Sequence, residues 1–357
     1  MLGTRPEIIK FSPIIRECTR VGLEFSIIHT GQHYSHNMDK VFFEQLRLPN
    51  ADCNLKVGSG THAEQTGKML IGIERVLLKQ KPQIVLVEGD TNTVLAGALA
   101  AAKLGIKVGH VEAGLRSYDR QMPEETNRTL ADHCSDLLFA PTAKARDTLL
   151  NERIPKQKIF VTGNTIVDAV KHNIKIANEK GKTRIQKKLD LKPRTYFAVT
   201  IHRQENVDNP QRLHGIVEGL EKVQKDTGYP IVYPIHPRTK KNLKKLCLQF
   251  NKISTIDPLD YLSFLRLESN ARLVLTDSGG VQEEACTLNV PCVTLRDNTE
   301  RPETLEVGSN ILAGTNPDKI VKCTRVMLEK KQRWKNPFGD GKAGERIVKI
   351  LETERGD

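Results

Sequence analysis

Short apolar runs alternate with longer stretches of helical period from the start of the chain. Residues 25–30 (FSIIHT), 83–90 (QIVLVEGD), 107–114 (KVGHVEAG), 137–142 (LLFAPT) and 158–164 (KIFVTGN) read as strands. Helical segments lie between them. Residues 91–105, TNTVLAGALAAAKLG, are rich in Ala and Leu, and Gly105 suits a C-cap. This alternation predicts a parallel α/β sheet. The pattern then restarts, with strands expected in residues 196–203, 229–237, 252–258, 271–280 and 290–297. The break falls within 165–193. It predicts a first domain over 1–165, a second over 166–338, and a tail, 339–357, whose helix packs back on the first domain.

The beginning departs from this rhythm. GTRPE, residues 3–7, has the make-up of a strand-to-helix turn, with Pro6 suited to N1. Only Met1 and Leu2 precede it, too few for the strand that should feed such a turn. The pattern therefore predicts a first strand starting upstream of residue 1 and an underbuilt edge in the first sheet.

Composition narrows the class. A chain of 357 residues, 38% hydrophobic and 27% charged, suits two soluble cores of ordinary size. No run of 18 apolar residues occurs, so no membrane partner is expected and a cytoplasmic protein is. The seven cysteines form no C-x-x-C pair and read as small buried hydrophobes. Net charge is +12, concentrated in residues 171–194 and 236–245. Neither run interleaves aromatics with its bases, which argues against nucleic acid. A positive field for a small polyanion and solvated helix faces are the remaining readings.

Two places carry anion chemistry. GTRPEIIK, residues 3–10, offers a helix N-terminus with Arg5 at its mouth and Lys10 further on. TDSGGVQEEA, residues 276–285, ends a strand at Asp277 and opens a helix through Ser278, Gly279 and Gly280. Those glycines let a diphosphate approach the backbone, and a carboxylate one turn on can accept from ribose hydroxyls. His202 and His236, each at a strand end, suit phosphate oxygens. Neither a dinucleotide fingerprint nor a Walker loop occurs, and no His or Cys spacing suggests a metal; no cofactor is expected.

Acids gather at the other strand ends. Asp90 ends one strand, where capping the next helix is its structural alternative. Glu112 ends the next, with an ion pair to Arg116 as its alternative. Glu124 and Glu125 precede a helix. Carboxylates in such a crevice push each other's pKa values apart, so one can hold a proton while another accepts one. That is acid/base chemistry; no G-x-S-x-G elbow for acyl transfer is present.

Taken together, GTRPEIIK, TGQH, PQIVLVEGDT, GHVEAGLRS, PEETNR, VTGNTIVDA, HRQEN, TDSGGVQEEA and RDNTERPE resemble the non-hydrolysing UDP-N-acetylglucosamine 2-epimerases, in one order from residue 3 to residue 303. The resemblance implies two Rossmann-like α/β domains facing across a cleft, the glycosyltransferase-B architecture, and a homodimer. It implies inversion at C2 of UDP-N-acetylglucosamine to UDP-N-acetylmannosamine, through UDP elimination to 2-acetamidoglucal and re-addition. By matching position, Asp90, Glu112 and Glu124 are the implied catalytic carboxylates. Arg5, Lys10, His202, His236, Ser278, Gly279, Gly280 and Arg301 would hold diphosphate and sugar; Glu284 would take the ribose and Phe264 the uridine. Gln32 and His33 stand where bacterial members bind an activating second substrate molecule. The alternatives are a modified UDP-sugar such as a diacetamido uronate and, further off, a UDP-sugar glycosyltransferase.

Overall fold

A computed structural model describes residues 1–32, 36–179, 187, 189–330 and 333–354, with side chains left aside for 36–40. The chain forms two compact units. One comprises Met1–Ala169 with Phe338–Asp357, the other Val170–Pro337.

In the first unit every strand pairing is parallel. A two-stranded piece pairs β1 (Ile28–His29) with β2 (Cys53–Asn54). A four-stranded piece runs in the order β3 (Ile84–Glu88), β4 (Lys107–Val111), β5 (Leu137–Ala140), β6 (Ile159–Val161). Residues 1–3 lie between the two pieces. Leu2 N–H donates to Ile28 O at 3.0 Å, Thr30 N–H donates to Leu2 O at 2.9 Å, and the Met1 amine donates to Leu86 O at 2.7 Å. The sparse pairing therefore falls in the middle of the sheet, not at the expected edge. In a doubly wound sheet the first strand is central, because the chain winds outward from it in both directions.

Helix Arg5–Val21 starts from Thr4, whose partner in a capping box is Glu7. Arg5 takes the first helical position and Pro6 the second, one residue later than expected. Helix Ala343–Glu354 crosses this helix so closely that a Cβ at Gly344 would lie 3.0 Å from Pro13. Pairing patterns in β1, β2 and β6 involve only two or three residues each, which is why Cys53–Asn54 left no periodic signal.

The second unit holds one parallel six-stranded sheet. Its order is β12 (Asn310–Leu312), β11 (Cys292–Thr294), β10 (Leu273–Thr276), β7 (Phe197–Thr200), β8 (Ile231–Pro234), β9 (Ser254–Ile256). β12 was not expected; three residues opening on a polar Asn give no alternation to read. The chain winds outward from β7 to β9 and returns to β10 on the other side of β7. The topological switch thus lies between β7 and β10, paired in register from Leu273↔Phe197 to Thr276↔Thr200. HRQEN follows one strand and TDSGG follows the other. Of the basic runs, residues 180–186 and 188 lie outside the described residues, whereas the second run forms helix Pro237–Lys245 with Lys240, Lys241, Lys244 and Lys245 exposed.

Candidate functional site

Within the first unit, Glu112 follows the last residue of β4 and is buried. Its φ of 71° is left-handed, a conformation that costs a non-glycine residue about 1–2 kcal/mol. Lys10 Nζ donates to Glu112 Oε2 at 2.6 Å, and Asn164 Nδ2 donates to Oε1 at 2.8 Å. Lys10, expected with a diphosphate, is therefore engaged by carboxylates of its own unit: its ammonium also stands 3.5 Å from Glu88. Arg116 is not the partner of Glu112. It reaches Asp132 at 2.8 Å and Glu152 at 2.6 Å, because the positive-φ Gly114 turns the chain away after Ala113.

Asp90 ends the neighbouring β3 turn. It does not cap the next helix; Thr91 is the N-cap of Asn92–Lys103, with its hydroxyl donating to Glu7 Oε1 at 2.6 Å. Asp90 Oδ2 instead accepts from Arg128 Nη2 at 2.5 Å, and its carbonyl accepts from Asn127 Nδ2 at 2.9 Å. Both partners lie on helix Pro123–Cys134, whose second residue is Glu124. Glu124 is half-buried, and its side chain makes no hydrogen bond or ion pair among the described residues. Glu125 is occupied structurally, accepting from Ser117 and Tyr118 backbone amides at 2.9 and 3.0 Å. Asp90 and Glu112 thus sit on adjacent strand ends, and Arg128 links Asp90 to the helix that carries Glu124.

Two supports escaped the sequence reading. His110 on β4 bonds Asp132 Oδ1 through Nδ1 at 2.6 Å and the Gly89 carbonyl through Nε2 at 2.8 Å. Burial opposes charge on the ring, but Asp132 and the Gly89 carbonyl outweigh it, so His110 titrates above its ordinary value. The imidazolium then donates from both nitrogens and pins the Gly89 turn that precedes Asp90. The other support is Glu88, the last residue of β3 and 1% exposed.

Arg5 lies at the mouth of its helix, exposed, with its guanidinium 6.0 Å from the Phe42 ring centroid. Gln32 Oε1 accepts from Thr93 Oγ1 at 3.1 Å, while His33 lies outside the described residues.

In the second unit the switch point gathers the anion candidates. Asp277, fully buried at the end of β10, accepts from the His202 and Arg203 backbone amides at 3.1 and 3.0 Å and from Asn206 Nδ2 at 3.2 Å. This locks HRQEN beside Ser278. Burial lowers the His202 pKa; Asp277 opposes that, and Arg203 and His236 reinforce it. The ring is thus neutral at neutral pH, able to donate from one nitrogen. His236 caps helix Pro237–Lys245, its Nδ1 accepting from Arg238 N–H at 3.2 Å, which leaves Nε2 as the donor.

Ser278 is the N-cap of helix Gly279–Thr287 and makes no side-chain capping bond. Neither glycine that follows has positive φ. A Cβ at Gly279 would meet only Glu300 Oε2 at 3.6 Å and Arg203 Nη2 at 4.0 Å; one at Gly280 would meet Ser278 Oγ at 4.0 Å. Among the described residues nothing demands glycine here, so the open space is available to a ligand above the helix N-terminus.

Arg301 is buried, with Nε 2.6 Å from Glu283 Oε1. Arg296, unmarked in the sequence, is 1% exposed and binds Glu300 through two 2.9 Å contacts. Burial raises the Glu300 carboxyl, but Arg296, with Arg203 and Arg301, holds it at about 2. Glu284 is buried on its helix against Glu268, whose carboxyl is pushed well above the carboxylate range by burial and by Glu284. Phe264 is partly buried against the core that includes Tyr196 and Val274. Among the described residues, no group of three or more His, Cys, Asp or Glu is placed to hold a metal ion.

Comparison with known proteins gives the family. A family model described as UDP-N-acetylglucosamine 2-epimerase matches residues 16–352. A UDP-N-acetylglucosamine 2-epimerase of Methanocaldococcus jannaschii is 61% identical over 98% of this chain and 97% of its own length. One of Methanococcus maripaludis is 58% identical over 99% and 98%. The crystal structure of the M. jannaschii UDP-GlcNAc 2-epimerase in complex with UDP-GlcNAc and UDP superposes with a TM-score of 0.91 at 60% identity, covering 99% of this chain and 98% of that one.

Proposed function

The chain belongs to the non-hydrolysing UDP-N-acetylglucosamine 2-epimerase family, and from that premise we propose how its residues interconvert UDP-N-acetylglucosamine and UDP-N-acetylmannosamine. The observation that carries the reading is Glu112: buried, backbone-strained and paired with Lys10, on the strand end next to Asp90. Strain retained at a buried carboxylate is a mark of function.

The C2 proton of this sugar lies next to no carbonyl, so removal needs a concerted partner. A carboxylate takes the proton. The C–H electron pair becomes the C1=C2 double bond, and the C1–O bond breaks with its electrons leaving on UDP. In the return step a proton adds to C2 from the opposite face as the diphosphate oxygen rejoins C1. Two faces need two proton-handling groups. Asp90, Glu112 and Glu124 supply them, the third orienting the glucal. The departing diphosphate is met by Ser278, the Gly279 and Gly280 amides, neutral His202, His236 and Arg301, whose charge stabilises the leaving group; Arg5 is the anion group of the first unit. Glu284 takes the ribose and Phe264 the uridine edge. Lys10 serves Glu112 more than the phosphates.

Incubation with UDP-N-acetylglucosamine in deuterated water, without added metal or nicotinamide, tests this by proton NMR. UDP-N-acetylmannosamine carrying solvent deuterium at C2 is expected. Turnover that retains the original hydrogen would exclude elimination. An equal rate with a UDP-diacetamido uronate would shift the substrate assignment.

Three further expectations belong to this reading. Gln32 and His33 contribute to a second, activating substrate site, which sigmoidal initial rates would reveal. The protein works as a homodimer: Ile71, Leu78 and Leu130 are apolar yet 54%, 57% and 46% exposed, and light scattering decides. It resides in the cytoplasm, which its seven free cysteines suit. No described helix is long and apolar enough to cross a membrane.

A further inference from the structure

Three carboxyls and one ammonium are buried together behind the strand ends of the first unit: Glu7, Glu88, Glu112 and Lys10, each at most 8% exposed. Their hydrogen bonds are unequal. Glu7 accepts from the Gly3 and Thr4 amides at 2.7 and 2.6 Å and from the Thr91 hydroxyl at 2.6 Å. Glu112 accepts from Lys10 at 2.6 Å and Asn164 at 2.8 Å. Glu88 has Lys10 only at 3.5 Å, and its Oε1 has no hydrogen-bond partner among the described residues. A buried charge is tolerated where donors meet it. By that measure Glu7 and Glu112 bear the negative charge, Lys10 the positive, and the proton belongs on Glu88.

We propose that Glu88 is a positioning residue that remains protonated at neutral pH and donates its proton as a hydrogen bond to Glu112, keeping Glu112 and Lys10 as the ionised pair. This rests on the epimerase reading of Glu112. Burial pushes the Glu88 carboxyl well above the carboxylate range; Lys10 opposes the shift, and Glu112 and Glu7 add to it. The groups that face Glu88 are thus Glu7 and Lys10 from helix Arg5–Val21 and Glu112 from the end of β4. When alkali ionises Glu88, a second negative charge competes for Lys10, Glu112 loses the Glu88 proton from among its donors, and turnover falls.

Glu88→Gln imitates the neutral acid; Glu88→Leu removes the donor. At neutral pH, the infrared difference between wild type and Glu88→Gln is expected to contain a neutral-carboxyl band and no carboxylate pair. Turnover of Glu88→Gln should stay within about threefold of wild type. Its kcat profile should lack the alkaline decline that wild type shows. Glu88→Leu should lose about tenfold or more, the worth of one charge-assisted hydrogen bond, with its melting temperature retained. A carboxylate pair in the difference spectrum would overturn the proposal. So would superimposable kcat profiles, or a loss beyond about 100-fold in Glu88→Gln, since that would make Glu88 a proton-transfer group. If the wild type does not epimerise at all, the functional reading fails, while the infrared result still decides the protonation of Glu88.

Discussion

At Glu112 three constraints meet: a left-handed backbone, burial and a 2.6 Å ammonium contact. Each costs stability or restricts the side chain, and together they aim one carboxylate. Glu112→Gln keeps the size and the Asn164 contact but cannot take a proton at neutral pH. Turnover is expected to fall about 10²–10⁴-fold. UDP affinity should be unchanged, because the diphosphate candidates at the β7–β10 switch belong to the second unit. The substitution also leaves Lys10 without its nearest anion, which in a buried pair costs up to about 3–5 kcal/mol. Glu88, at 3.5 Å, can ionise in compensation, so the loss should fall below that range. Turnover, isothermal titration with UDP and thermal melting of the same variant separate these effects. Normal turnover would make Glu112 structural.

The elements that present the candidate anion-binding groups obey a different logic. Helix Gly279–Thr287 opens on glycines that neither φ nor packing requires. Gly279→Ala should therefore fold at least as well as wild type, since Ala is the better helix residue by about 0.5–1 kcal/mol. Its Cβ would stand where a diphosphate oxygen approaches, and UDP affinity should drop about tenfold or more, roughly the loss of one charge-assisted hydrogen bond. Titration calorimetry beside thermal melting checks both halves. Unchanged UDP affinity would move the diphosphate elsewhere. Gly114 is a contrasting glycine: φ is 84°, and a Cβ would lie 2.3 Å from Ala145 O. Position 114 is thus required by the fold, whereas on the proposed function position 279 is required by what binds. Both glycines were visible in the sequence, but only the packing around them tells the two requirements apart.

Across the whole molecule, buried ion pairs link stability to pH. His110 titrates higher folded than unfolded, so its stabilisation is complete below about pH 6.5 and is lost as pH rises through the raised folded value. Asp132 goes the other way. Burial raises its carboxyl, but His110 and Arg116 bring it below its ordinary value, so its contribution is present above about pH 4 and is lost as pH falls through the depressed value. Melting temperature should therefore decline on both sides. In His110→Asn the alkaline decline should shrink, and scanning calorimetry across pH reads it. The sequence by itself determined the alternation of strands and helices and the strand-end positions of Asp90, Glu112, His202 and Ser278. These depend on local periodicity and turn chemistry, which neighbouring residues carry. Only the tertiary structure decided that Lys10 pairs with Glu112, 102 residues away, and Arg116 with Glu152 rather than with nearby Glu112. It alone placed Glu88 beside that first pair and residues 1–3 between β1 and β3. Those choices follow from which strands lie side by side, and strand order is set by the winding of the whole sheet rather than by any stretch of the chain.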